Sequence, residues 1–384
     1  MADFEVKIVK IDEVTKHSNA DSLDIARIGG FNCITKLGEY KAGDLAVYIP
    51  EFAVIPEWLL KKLGFWDSEK NKGKLNGSKG NRVKIVRLRG SYSQGILIPV
   101  LKQEEQPCIE NENGVDDVLD VFEGQEVSEF LGIVKYSPPI PVNMAGQVSN
   151  AGIGIFPKFD VENIQKHPDI IKDGDRVEFT GKIHGTCLKI MYIRDTSNIP
   201  EDVLFDDNFI MSSKGQSDKG LVFKNNELNK DNVYIRTVRN MGLLKKLKQI
   251  TGDIERVCFL GEVFGKGVQD LTYGQDGTSF RLFDIATSRE KTGNQSFSFL
   301  STNIVKEVCK DDNIPQVPIL YTGKFSEEVL KEYTDGIDTI GKKHIREGIV
   351  IRPVIEKIDD NIGRVILKSV SKKYLMRKNG TEFN

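Results

Sequence analysis

The stretch VEFTGKIHGTCLKI, residues 177–190, places Lys182 three residues before Gly185, between two runs rich in strand-forming side chains. A lysine there is either a surface ornament or an amine held in a cleft to attack an electrophile. The second use has a requirement. An ammonium has no lone pair, so the proton must leave first, and burial or neighbouring positive charge favours its departure. Alone, this four-residue pattern carries little. Its weight comes from the groups that accompany it at the ends of apolar runs: Lys214 in SSK, Glu262 in FLGEVFGKGVQ, Phe283 in FRLFDI, Glu347 in REGIVIRP and Lys368 in ILKSVSKKYL. Taken singly, Phe283 reads as a core strand residue and the two glutamates as partners in structural ion pairs.

These groups need a scaffold. From about residue 155 the chain mixes strands (RVEFTG, CLKIMYI, RVCFLGEVFG, FRLFDIA, EGIVIRPV, RVILKSV) with helical stretches (VYIRTVRNMGLLKKLKQI, STNIVKEVCK, SEEVLKEY). The strands are not spaced as βαβ units, which predicts an α+β domain of antiparallel sheets flanked by helices. Residues 1–135 read differently. FEVKIVKI alternates, with Phe4, Val6 and Ile8 on one face, and further short strands follow between turn signals. PEWLLKKLG is a helix from Pro56 to Gly64, and NRVKIVRLRG with GILIPV predicts a hairpin around Ser91–Gln94. Short strands with one small helix predict a closed barrel of the OB type. Residues 136–154, rich in Pro, Gly and small polar side chains, read as a linker.

The 384 residues suffice for two domains, and the net charge of −2 hides an uneven distribution. Residues 70–89 hold eight Lys or Arg and no acid, whereas residues 104–129 hold ten Asp or Glu and no base. The basic stripe is either a solvated loop or a polyanion-binding face beside the barrel. Five cysteines and four histidines are scattered singly, which argues against a zinc site or a disulfide framework and for a reducing compartment. No signal peptide or membrane span is legible, so a soluble cytoplasmic or nuclear protein is expected.

The order of the chemical groups resembles the covalent nucleotidyltransferase superfamily of polynucleotide ligases and mRNA capping enzymes. Lys182 matches the nucleophile of motif I, Ser212-Ser213-Lys214 motif Ia, Glu262 motif III, Phe283 motif IIIa, Glu347 motif IV and Lys368 motif V. KIHGT, with His184 where DNA ligases and capping enzymes carry Asp, is similar to the nick-sealing RNA ligases, as is GEVFGKGVQ. HSNADSLDIARIGG, LGEYKAGDLAVYIPE and RVKIVRLRGSYSQGILIPV resemble the ATP-dependent RNA ligase family whose OB domain precedes the catalytic domain. DNA ligases and capping enzymes place that barrel after motif V, and only sixteen residues follow Lys368. The chain departs from related enzymes at Gly181, where phage members have Glu, and at Val370, where motif V has a second lysine; Lys372 and Lys373 are the nearest substitutes.

The resemblance implies an OB-fold RNA-binding domain over 1–135, a linker over 136–154 and a nucleotidyltransferase domain over 155–384. It implies ATP and Mg²⁺ or Mn²⁺ as cofactors, with Lys182 taking AMP and passing it to a 5′-phosphate that a 3′-hydroxyl then attacks. Glu262 and Glu347, with His184 as a further ligand, would hold the metal. Lys214 and Lys368 would meet phosphate or ribose oxygens, Phe283 would stack on adenine, and Gly185 would let the backbone approach the nucleotide. Lys79, Arg82, Lys84, Arg87 and Arg89 would contact RNA, as a nick or an RNA-containing duplex. A monomer without a membrane partner is expected. A capping-type guanylyltransferase and a non-catalytic OB-fold RNA- or tRNA-binding protein are the alternatives.

Overall fold

The computed structural model describes residues 4–103, 106–137, 146–291, 297–377 and 380. It divides into two units, one of residues 2–137 with 162–168, the other of residues 138–161 with 169–384. The split differs from a boundary at 155, because 162–168 groups with the first unit. A local reason is visible: the Gln165 amide donates to Gly30 O at 2.8 Å, and Gln94 Nε2 donates to Gln165 Oε1 at 3.0 Å. Of the stretch expected as a linker, 138–145 lies outside the described residues, and Val148–Asn150 is a strand paired with Leu221–Phe223 in the second unit.

In the first unit, β1 (Lys7–Lys10), β5 (Leu45–Ile49) and β8 (Ile96–Pro99) form one antiparallel sheet, with β5 central. A second sheet joins β2 (Glu13–Lys16), β3 (Leu23–Ile28) and β4 (Phe31–Lys36). Alternation places Val6, Ile8, Val47 and Ile49 in the core with Leu59 and Leu60 of α1 (Glu57–Lys62), while Phe4 packs partly buried against them. The hairpin expected between NRVKIVRLRG and GILIPV does not form, because β8 of the second run pairs with β5; a shorter hairpin takes its place. β6 (Val86–Leu88) pairs with β7 (Ser91–Ser93), so Ser91 and Ser93 are strand residues and the two-residue turn is Arg89-Gly90. Both carry positive φ, 49° and 101°. That backbone twist matches the twist of paired strands, which is why a glycine sits there.

Two larger antiparallel sheets form the body of the second unit. In the first the neighbours run β16 (Leu367–Val370), β15 (Gly348–Pro353), β9 (Arg176–Lys182) and β14 (Ile319–Lys324). In the second they run β11 (Phe209–Ser213), β10 (Thr186–Ile193), β12 (Arg256–Gly265) and β13 (Thr278–Ser288). The strands of this second sheet are apolar on both faces. Leu188, Ile190, Phe259 and Leu282 pack on Val233 and Val238 of α2 (Val233–Met241), Leu247 of α3 (Leu243–Lys248) and Val305 of α4 (Thr302–Asp311). On the opposite side Met191, Ile193, Cys258 and Leu260 join one cluster with Val350 and Ile366. The long helix expected over 233–250 is two helices, because Gly242 takes the left-handed conformation (φ 58°) that ends the first.

One irregularity bears on the site. Leu260 pairs with Asp284 but Gly261 pairs with Leu282, so Phe283 is an extra residue, a bulge that frees its side chain from the regular alternation. No helix among the described residues is long and apolar enough to cross a membrane.

Candidate active site

Lys182 ends β9, and its register fixes its company. Lys182 lies opposite Gly348, and Gly348 opposite Val370; two residues back, Thr180 lies opposite Val350, and Val350 opposite Lys368. Directly opposed residues share a sheet face, so Lys182 and Lys368 present their side chains to the same side. Glu347, immediately before β15, is 2% exposed and accepts a 2.5 Å hydrogen bond on Oε1 from Lys182 Nζ. Burial pulls the Lys182 pKa down, but Glu347 and then Glu262 outweigh it and leave the amine above the ordinary lysine value. With the Glu347 carboxylate against it, the resting group is an ammonium.

Glu262 reaches the same place from β12, opposite Cys187 on β10. Burial pushes its carboxyl up to about 8, Lys182 pulls it down and Glu347 adds to the rise. Gly185 is required for this approach. A Cβ on it would lie 2.3 Å from Val263 O and 2.8 Å from Glu262 Cγ. The crowding thus comes from β12, whereas the sequence pointed to a nucleotide. Gly181, on the other side of Lys182, donates its N–H to Pro318 O at 2.8 Å.

His184, expected as a metal ligand, has its ring turned to protein partners in this structure. It is 1% exposed, and both ring nitrogens are engaged, Nδ1 with Tyr374 OH at 2.6 Å and Nε2 with Asp270 Oδ1 at 2.7 Å. Its backbone N–H donates to Tyr273 OH at 2.7 Å. Arg377 completes the cage, donating from Nε to Asp270 Oδ2 at 2.9 Å and from Nη2 to Oδ1 at 3.0 Å, with its guanidinium 3.8 Å from the Tyr374 ring centre. Gln269 donates to Gly185 O. Burial lowers the imidazole pKa, and the opposing pull of Glu347 and Asp270 does not restore it. Sequence reasoning missed Gln269, Asp270, Tyr273, Tyr374 and Arg377. The only signal was their closeness in sequence to Glu262 and Lys368.

The remaining expected residues divide. Lys214, capped by Ser213 at the start of a short helix, pairs with Asp160 at 2.8 Å. The bulged Phe283 stacks on Phe159 with ring centres 5.2 Å apart and planes at 27°, while Arg352 Nη2 donates to its carbonyl at 2.9 Å. Lys368 is half-buried, and Lys373 pairs with Asp335 at 3.3 Å. In the first unit Lys79, Arg87 and Arg89 are exposed and Lys84 is half-buried. Arg82 is different: half-buried, with its guanidinium 4.3 Å from the Tyr136 ring centre, it holds the chain in place as well as carrying charge.

Among the described residues no group of three or more His, Cys, Asp or Glu forms a ready metal cage. A magnesium-like ion needs less, since one or two carboxylates with water and substrate phosphates suffice. Glu347 Oε2 is buried with no hydrogen-bond partner among the described residues, and Glu262 stands beside the same lysine. This donor set fits such a cation, held by Glu262 and Glu347 without His184.

A family model described as RNA ligase matches residues 175–370, and one described as an OB-fold domain matches residues 5–100. No curated protein matches the sequence. Among solved structures the chain is similar to Naegleria gruberi RNA ligase. A lysine-to-alanine mutant with ATP and Mn is 22% identical with a TM-score of 0.71, covering 96% of this chain and 98% of that one. The form with PPi gives 22%, 0.71, 97% and 98%, and a glutamate-to-alanine mutant with AMP and Mn gives 21%, 0.72, 97% and 98%. At these identities the likeness establishes the shared fold, an OB-fold domain followed by a nucleotidyltransferase-type domain.

Two stability measurements probe the geometry. Glu262 titrates near 8 when folded and near its ordinary 4.5 when unfolded, so between those values the folded chain binds more protons. The metal-free protein therefore loses stability as pH rises from 5 to 8, by at most about 1.4 kcal/mol per pH unit. In chelator, Glu262→Gln should flatten the pH dependence of urea unfolding; parallel curves for the two proteins would show that burial does not strain this carboxyl. Arg377→Ala should cost about 1–3 kcal/mol by stranding Asp270 beside a buried ring, with Arg377→Lys intermediate.

Proposed function

This chain belongs to the RNA ligase family, and from that premise we propose that it uses ATP to join 3′-hydroxyl and 5′-phosphate ends at nicks in RNA or RNA-containing duplexes. The observation that carries the reading is the Lys182–Glu347 contact of 2.5 Å with Glu262 beside it, two acids focused on one amine. Lys182 Nζ attacks the α-phosphorus of ATP, a nitrogen–phosphorus bond forms, and the bond to pyrophosphate breaks. AMP then moves from Lys182 to the RNA 5′-phosphate, and the 3′-hydroxyl displaces it as the phosphodiester forms. Each transfer keeps a good leaving group on phosphorus, which hydroxide is not.

The chain's residues divide this work. Glu347 is the acceptor nearest the proton that Lys182 must give up. When a divalent cation is held by Glu262 and Glu347, it supplies positive charge that favours the neutral amine and offsets charge on the phosphate. Lys368, on the same sheet face as Lys182, stands where phosphate oxygens would come. Phe283 offers a ring freed by the bulge for the adenine. The cage around His184 fixes the turn that carries the nucleophile, so attack starts from a fixed position. The first unit holds RNA through Lys79, Lys84, Arg87 and Arg89, mostly by phosphate contacts. We read the protein as a monomer acting in a reducing compartment.

Incubation with magnesium and radiolabelled ATP should label the wild-type chain at Lys182 and leave Lys182→Ala unlabelled. Label from GTP instead of ATP would identify a capping-type enzyme, and no label from either would end the proposal. Charge reversal of Lys79, Arg87 and Arg89 together should slow nick sealing at least about tenfold at low salt, with Lys182 still labelled from ATP. Sealing at the wild-type rate would remove the first unit from RNA binding.

A further inference from the structure

The segment Asp338–Arg346, DTIGKKHIR, runs directly into Glu347 and has no part in the chemistry above. Asp338 is 4% exposed. Its Oδ1 accepts from the backbone N–H of Ile340 (2.9 Å), Gly341 (2.7 Å) and Lys342 (3.3 Å), and its Oδ2 from Lys343 (3.2 Å) and His344 (3.1 Å). A concave run of N–H groups is the sort of cradle that takes an anion, and here the chain's own carboxylate fills it. The loop is thereby stiffened, and the acid's hydrogen-bonding capacity is spent on backbone.

Further contacts tie the loop down. A Cβ on Gly341 would lie 2.3 Å from Tyr273 O, so the loop rests on the residue whose hydroxyl meets His184 N. Arg346 donates to two carbonyls, Tyr333 O at 2.5 Å and Ile337 O at 3.2 Å. The loop is therefore anchored one tyrosine away from the turn that carries Lys182. What it presents outward is Lys342, at φ 54°, and Lys343, both exposed. Neither has an ion-pair partner among the described residues. Lys182, Lys189, Lys214 and Lys373, by contrast, each face a carboxylate. Two unneutralised cations on a stiff loop suit a polyanion, because little ordering remains to be done on binding.

We propose that Lys342 and Lys343 form a ledge on the catalytic unit that binds backbone phosphates of the RNA strand whose end is being joined. The ledge rests on the reading of this chain as an RNA end-joining enzyme. It differs from the basic stripe of the first unit, and the two contribute separately to binding.

The test uses the full chain with Lys182→Ala to prevent turnover. Binding of a nicked RNA duplex, read by fluorescence anisotropy from about 50 to 200 mM salt, is compared with and without Lys342→Ala/Lys343→Ala. The double change should weaken binding about tenfold at low salt and make the log–log salt slope shallower by about 1.5. Lys342→Arg/Lys343→Arg should bind like the parent, since charge is kept. An unchanged affinity and slope would overturn the ledge. So would a loss confined to ATP affinity, measured in parallel, which would assign these lysines to the nucleotide's own phosphates. If the wild-type chain takes no label from ATP, the functional reading has failed; if it labels normally and the double variant still binds RNA like its parent, only the ledge has.

Discussion

The second unit brings one amine and two acids to a single place, Lys182 with Glu347 and Glu262. Lys182 is largely enclosed, yet the Glu347 carboxylate holds it protonated. A lysine paired this closely is a poor nucleophile and a stable structural element. The same acids are the groups a hard cation would take, so in the proposed reaction one arrangement would both hold the amine and allow its release. The strain shows on the acids. Glu347 leaves one carboxylate oxygen buried without a hydrogen-bond partner among the described residues, and Glu262 is pushed far from its ordinary value by burial. Such costs persist where function repays them.

Rigidity around that amine comes from the turn that follows it. His184 occupies a position where the sequence offered a metal ligand, and the structure uses it as a bolt. Two ring nitrogens and one backbone N–H are committed to Tyr374, Asp270 and Tyr273. Arg377 then neutralises Asp270 and covers Tyr374. Gly185 permits the neighbouring strand to come within contact distance, so Glu262 arrives from the second sheet while Lys182 and Glu347 belong to the first.

Much of this was legible in the sequence, unevenly. The apolar runs located the strands beside Lys182, Glu262, Phe283, Glu347 and Lys368 but not Phe209–Ser213, which leads into Lys214, and the structure brings Lys182, Glu262 and Glu347 together. Features set by single residues were harder. Gly242 ended a helix that the periodicity ran straight through, and the Arg89-Gly90 turn was hidden because its first residue is not a usual left-handed one. The bulge at Phe283 left no compositional trace. The His184 cage was invisible because its members are 86 to 193 residues away in sequence, and spacing cannot report which distant groups meet.

The strand carrying Lys182 lies between neighbours that come from much later in the chain, Ile319–Lys324 and Gly348–Pro353. The lysine and its glutamate are 165 residues apart. On a ribosome adding about 5–20 residues per second, β9 waits on the order of 10 s before either edge partner has been made. Until then it is an apolar strand with both edges open, the state most inclined to pair with another chain. The pairing of β9 with β15 that brings Glu347 to Lys182 is therefore also the one that covers this strand's second edge.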